Sequence, residues 1–230
     1  LAQRIQAKTG IPAFIDNDVN ALALGEWRYG RGRGASSLVV LALGTGLGGA
    51  IILDGRLERG TSGFGGEFGH VPVSFDGRPC VCGAHGCLGA YAAGYGIAME
   101  WRRRVGQSGD AGAGAPIRDP SAADAEEVFR AAAKGDGAAR VVIEEACRAL
   151  GAALGGVVNG LNPEVIAVTG GIVKSLVHWQ REILDRVGEY ALAPALAATR
   201  IHLIPGHKSQ TVRGGAALFL YERARRAGRR

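Results

Sequence analysis

Residues 37–55 read SLVVLALGTGLGGAIILDG. The uncharged run SLVVLAL has the length of a buried strand and is too short for a helix. GTGLGG follows, then AIIL, a second strand closed by the turn Asp54-Gly55. Gly44, Gly46 and Gly49 match the spacing G-x-G-x-x-G, but a dinucleotide fingerprint must open a helix, and here a strand follows. The stretch is a β-hairpin with a glycine-rich tip, and the Rossmann reading fails. Such a tip can wrap phosphates with backbone N–H groups, with the Thr45 hydroxyl as an extra donor. Equally, a tight hairpin can need glycine for its geometry alone.

Upstream, LAQRIQAKTG is an amphipathic helix with a Gly stop, and PAFID predicts a short buried strand. NDVNALALGEWRYG spaces Val19, Leu22, Ala23 and Trp27 as a helix does. Asp16, Asn17 and Asp18 therefore fall where a strand gives way to a helix, a usual ligand position in α/β sheets. A carboxylate there can take a proton from an attacking hydroxyl; the same residue types also serve as helix N-caps.

Downstream, the glycine-rich loop RGTSGFGGEFGH leads into a cysteine cluster, and a helix is expected from Ala90 to Val105. GQSGDAGAGAPIRDP, about residues 106–120, reads as a flexible linker. Ser121 with Asp124 gives a capping-box-like helix start, and a long helix runs from about Ala138 to Gly160. EVIAVTGG is a buried strand entering the turn Gly170-Gly171. A helix around Val173 to Tyr190, the strand IHLIP and a helix from about Gly214 follow. Strands alternate with helices, so the class is α/β.

Three of the four cysteines and two of the five histidines lie in HVPVSFDGRPCVCGAHGC, residues 70–87. His70, Cys80, Cys82 and Cys87 are the donor set for tetrahedral zinc, in a loop short enough for all four to converge. His85 is a possible fourth ligand, but it lies between two Cys ligands where the loop must turn, which favours His70. Four protein ligands close a site, so the metal would order a loop and perform no chemistry. Glu67, three residues before His70, would then be held beside a rigid anchor; otherwise it is a surface carboxylate. Cys147 sits alone in a helical run as a core residue.

The 230 residues are 47% hydrophobic and 21% charged, ordinary for a globular protein. No apolar run reaches the roughly 18 residues of a membrane span, and no signal peptide is evident. Clustered thiols then point to metal or redox chemistry in the cytoplasm. The start lacks Met, which predicts that the chain begins inside a longer protein. Of the net charge of +6, the last ten residues, YERARRAGRR, supply five Arg and one Glu. Such a tail can touch nucleic-acid phosphates, but it reads more simply as a solvated terminus.

The segments IDNDVNALALGE, LALGTGLGGAIILDGRLERG, GGEFGHVPV and CVCGAHGCLGAY, in that order and with VTGG further on, resemble the ROK family of bacterial sugar kinases and sugar-sensing repressors. The resemblance covers essentially the whole chain. It implies an actin-like ATPase (ribonuclease H-like) fold, with residues 1–230 forming mainly the C-terminal lobe, a zinc-braced loop at 70–87 and a basic tail at 222–230. It makes Asp18 the base for the sugar hydroxyl that attacks the γ-phosphate of ATP, and Asn17, Glu67 and His70 the sugar contacts. Gly44, Thr45, Gly46 and Gly48 would hold the phosphates of ATP with Mg²⁺, and Gly170 and Gly171 would lie near the nucleoside. A cytoplasmic homo-oligomer (dimer or tetramer) is expected, binding DNA only if a helix-turn-helix precedes Leu1.

Three departures from the family pattern are visible. No D-x-G-G-T phosphate loop is present, Asp16 stands where Glu is usual, and Gly89 replaces a sugar-binding Glu. The sequence thus supports a sugar kinase acting on a hexose or amino sugar. The effector domain of a sugar-responsive repressor comes second, and a non-catalytic carbohydrate module third.

Overall fold

The computed structural model describes residues 1–106 and 124–227. Its centre is a mixed five-stranded sheet of order β3-β2-β1-β4-β5. The strands are β1 (Leu38–Leu43), β2 (Leu47–Leu53), β3 (Arg56–Glu58), β4 (Val165–Gly170) and β5 (Arg200–Pro205). β1 and β2 pair antiparallel from Leu38↔Ile52 to Leu43↔Leu47, and β4 runs parallel to both β1 and β5. The glycine motif therefore caps a hairpin. β3 completes a meander that the short run RLE did not announce.

β1 is apolar throughout because both of its faces are covered. Val39, Leu41 and Leu43 point into one core, Leu38 and Val40 into the other, as the two-residue strand period requires. On the first face lie α3 (Gly89–Ala92), α4 (Gly94–Arg104), α5 (Ala125–Ala133), α6 (Gly137–Leu161), α7 (Val173–Leu176) and α8 (Gln180–Tyr190). On the second lie α2 (Asp18–Tyr29) and α10 (Lys208–Ala227). Two short helices, α1 (Ala2–Thr9) and α9 (Ala193–Ala198), complete the described elements.

Several local expectations are corrected. Residues 12–16 form no strand: they pair with no described strand, and Phe14 packs edge-to-face on Phe219 of α10, centroids 5.6 Å apart. The helix expected over 90–105 breaks at Ala93, whose ψ of 157° is extended, giving α3 and α4. The helix over 173–190 is interrupted by a 3₁₀ turn at Val177–Trp179. Asp124 is the N-cap of α5, accepting from the Glu126 and Glu127 N–H groups; Ser121 and nearly all of the linker lie outside the described residues. The basic tail is helical to Ala227, with Glu222 buried. Residues 228–230 lie outside the described residues. No described helix is long and apolar enough to cross a membrane.

α2 and α10 cross at backbone contact. A Cβ on Gly25 would lie 3.0 Å from the Gly214 Cα, and one on Gly214 would lie 2.7 Å from the Ala21 carbonyl oxygen. Neither backbone can yield without moving a helix. Gly214→Ala should therefore cost about 1–3 kcal/mol of stability. One position along, a Cβ on Gly215 meets open space, so Gly215→Ala should stabilise by about 0.5–1 kcal/mol through helix propensity. Chemical denaturation of both variants checks the pair; equal effects would remove the crossing as the cause.

Candidate functional site

The sequence-predicted residues meet around the β1–β2 tip. Gly44 N–H donates to the Gly46 carbonyl (2.9 Å), and Thr45 and Gly46 are exposed. The first N–H groups of α4 reach the tip's carbonyls: Gly94 N to Gly44 O at 2.9 Å and Tyr95 N to Thr45 O at 3.1 Å. Ile172 N donates to Leu43 O at 3.2 Å, which sets the Gly170-Gly171 turn beside the tip. The start of α2 arrives from the opposite core, with Val19 Cγ2 only 2.8 Å from where a Gly48 Cβ would be. The Glu67 loop lies on β2 as well: a Cβ on Gly49 would sit 2.5 Å from Phe68 Cδ2 and 2.6 Å from the Gly66 carbonyl oxygen.

These contacts sort the glycines. Gly48 and Gly49 are explained by packing, and Gly170 by a φ of 117° and its closeness to the Leu43 carbonyl. Gly44, Gly46 and Gly171 have no positive φ, and a Cβ on them would meet no described atom. Their small size is not demanded by the protein itself, which leaves the backbone there open to a ligand.

Asn17 is the N-cap of α2. Its Oδ1 accepts from Val19 N at 2.8 Å, an N–H that Asp18 Oδ1 shares at 2.9 Å. Asp18, the first helical residue, is exposed. Asp16 turns inward: its Oδ1 accepts from Asn17 N and Asn20 Nδ2, and its Oδ2 from Arg59. Burial alone would raise the Asp16 pKa, but the hydrogen bonds from Arg59 and Asn20 bring it below its ordinary value.

His70, Cys80, Cys82 and Cys87 bring one donor atom each within 4.8 Å of one another. Cys82 Sγ and Cys87 Sγ are 3.8 Å apart, and Cys80 Sγ is 3.6 Å from His70 Nδ1. Tetrahedral zinc would set two thiolates roughly 3.8 Å apart and a thiolate and imidazole nitrogen roughly 3.6 Å apart. The donor set fits the ion. His85 is outside the cluster; its backbone pairs with Pro79 at the loop's turn. Hydrogen bonding to the Ala84 backbone and to the neighbouring thiols pulls Cys82 down to about 7, whereas burial and the same neighbours push Cys87 up to about 12. Three thiols this close do not all ionise unless a cation joins them. His70 N donates to Glu67 O at 3.0 Å, so the exposed Glu67 shares one 3₁₀ turn with a cluster residue.

The sequence reading missed Tyr95, Arg78 and Glu100. Tyr95 Oη lies 3.7 Å from Cys80 Sγ, and it is 3.1 Å from where a Gly89 Cβ would stand. A side chain at position 89 would press on the Tyr95 hydroxyl and the Gly69 carbonyl oxygen, each 3.1 Å from that Cβ. Arg78 stacks 4.3 Å from the Tyr91 ring centroid, pairs with Glu145 and lies 3.7 Å from Glu100. Only the arginines' number hinted at such a network; its partners are far apart in sequence.

The architecture is an α/β lobe with a mixed sheet, matching solved actin-like kinases of the ROK type. A sequence model of the ROK family matches residues 1–222, and the chain belongs to that family. It is 32% identical over 219 residues to the glucokinase of Thermotoga maritima, covering 95% of this chain and 69% of that one. A ROK family glucokinase from Streptomyces griseus, solved in complex with glucose and AMPPNP, is 28% identical with a TM-score of 0.68, over 95% of this chain and 71% of that one. A ROK family transcriptional regulator, a homologue of the E. coli MLC protein, is 30% identical with a TM-score of 0.76, over 94% of this chain and 54% of that one.

The Arg78 network gives the cysteine loop a pH dependence. Burial works against a charged Glu100, but hydrogen bonds from Arg103 and Arg104 and the charge of Arg78 more than reverse this and hold it at about 2. A carboxyl lowered from 4.5 stabilises the fold fully above that pH and loses its contribution as pH falls toward 2. The stability difference between the parent and Glu100→Gln should be roughly 2–3 kcal/mol at neutral pH and shrink through this window. Denaturation at several pH values reads it; a difference that stays constant would contradict the assignment.

Proposed function

We propose that the protein is an ATP-dependent ROK sugar kinase, in which this chain supplies the lobe carrying the sugar contacts and the catalytic base. The observation that carries the reading is the convergence of Asn17-Asp18, the Glu67 turn and the open glycines Gly44, Gly46 and Gly171 on one hairpin tip.

In this reading the Asp18 carboxylate takes the proton of a sugar hydroxyl as its oxygen attacks the γ-phosphorus of ATP. The new O–P bond forms, the bond to the β-phosphate oxygen breaks, and ADP leaves. Asn17 spends its Oδ1 on the helix cap, so it meets the sugar through its Nδ2 donors. His70 faces Cys80 through Nδ1, which leaves Nε2 for a sugar hydroxyl beside Glu67. The amides around Gly44 and Gly46 and the Thr45 hydroxyl hold the phosphates, with Mg²⁺ arriving on ATP. Gly171 opens toward the nucleoside. A cavity of about 380 Å³, reached three residues further along the chain at Lys174, is lined by Phe129, Trp179, Arg130, Arg140 and Lys174 with one acidic residue, Glu126, a mainly aromatic and basic setting for a nucleotide. His70, Cys80, Cys82 and Cys87 would hold zinc, whose closed coordination orders the loop and supplies no reacting group.

The second reading is a sugar-responsive repressor. The similarity to the MLC-type regulator favours it. A full-length protein that binds a sugar but never phosphorylates it would decide for the repressor.

In the full-length kinase, Asp18→Asn should lower turnover by about 10² or more with sugar affinity largely kept, since it removes a proton acceptor and little else. Coupled ADP-release kinetics with calorimetry test this, and near-normal turnover would reduce Asp18 to an ordinary first-turn residue. Elemental analysis should find one zinc per chain, and Cys82→Ser should release it and loosen the Glu67 turn. A variant that keeps both metal and stability would remove zinc from the account.

A further inference from the structure

The Asn17-Asp18 end of α2 and the Glu67 turn are separate pieces of chain, yet one residue touches the supports of both. Arg59 follows β3. Its Nε and Nη2 donate to Asp16 Oδ2 at 2.9 and 2.5 Å, and Nη2 also reaches Glu222 Oε1 of α10 at 2.7 Å. The Asp16 and Glu222 side chains are only 8% and 7% exposed. Asp16 passes this hold on, because its other oxygen accepts from Asn17 N and Asn20 Nδ2 at 2.9 and 2.8 Å. Glu222 is fixed in turn by Arg225, at 2.9 Å. The backbone of Arg59 serves the other flank. Its carbonyl accepts from Gly65 N at 2.8 Å, closing the loop that leads directly into Gly66 and Glu67. The approach is tight: a Cβ on Gly65 would lie 2.7 Å from the Arg59 carbonyl carbon.

We propose that Arg59 is a positioning residue that locks the Asn17-Asp18 end of α2 to the loop carrying Glu67, so that both flanks of the site move as one body. The inference rests on the sugar-site reading above and adds the device that sets its geometry. A guanidinium is suited to the task because its planar fork bridges two carboxylates at once, whereas an ammonium is a single point charge. The two carboxylates come from segments 206 positions apart (222 − 16), so Arg59 also ties the site to α10.

The test compares full-length parent, Arg59→Lys and Asp16→Asn by hydrogen–deuterium exchange and steady-state kinetics. Arg59→Lys keeps the charge and the fold but cannot span both carboxylates. Exchange should quicken by about tenfold in both 17–24 and 60–69 while 137–161 is unchanged, since local openings are independent of the distant core. Asp16→Asn should quicken 17–24 only. The sugar kcat/KM of Arg59→Lys should fall by about tenfold or more, with the ATP KM kept within about twofold, as expected when reacting groups lose their alignment. For Arg59→Lys, quickening in one flank alone, or in all three segments, overturns the lock. If the parent phosphorylates no sugar, the kinase reading falls, and the exchange comparison alone then upholds or overturns the role of Arg59.

Discussion

The first two N–H groups of α4 donate to the carbonyls of Gly44 and Thr45, and the rest of the site is placed relative to that join. β1 has no freedom to adjust, because both of its faces are packed with apolar side chains. A helix start needs acceptors for its leading amides, and Ala93 supplies no side-chain cap. The hairpin tip takes that role. This is why the helical pattern of residues 90–105 must break at Ala93: only an extended residue there turns α4 end-on to the tip. The same arrangement delivers the Tyr95 hydroxyl to Cys80, so the phosphate-loop candidate and the cysteine cluster share one helical turn.

The cysteine loop needs such supports because it buries few apolar side chains. Phe75 is 97% exposed, and Val71 and Val81 are also exposed. Hydrophobic burial cannot offset the backbone entropy of ordering eighteen residues at about 1–2 kcal/mol each. Two polar devices do so instead. Arg78, in the middle of the loop, is held by Tyr91, Glu100 and Glu145. His70 at the loop's start and Cys80, Cys82 and Cys87 in its second half gather into one donor cluster, and a metal held there would couple its binding to local folding.

What the sequence disclosed follows how local each cause is. β1, β2, α6 and the donor set are written in runs or spacings of a few residues, and they were legible. PAFID misled because its apolar character serves Phe14 against α10 rather than a ladder. The Asp16–Arg59–Glu222 ion pairs were not legible, since Asp16 and Glu222 stand 43 and 163 positions from Arg59 and no local spacing joins them. Asn17 and Asp18 were visible as a pair, but only the geometry made Asn17 the N-cap and Asp18 the first helical residue, with both side chains facing the Val19 N–H.

Glycine is the residue for which sequence and structure diverge most. In GTGLGG, the glycines at 48 and 49 make room for Val19 and Phe68, while those at 44 and 46 make room for nothing in the described chain. One motif thus joins a packing requirement to an opening, and spacing cannot separate them. Gly89 adds a third case. A Cβ there would come within 3.1 Å of both the Tyr95 hydroxyl and the Gly69 carbonyl oxygen, so the missing side chain relieves a close approach. The same Tyr95 hydroxyl lies 3.7 Å from Cys80 Sγ, so the backbone at position 89 and the cysteine cluster pack against one side chain.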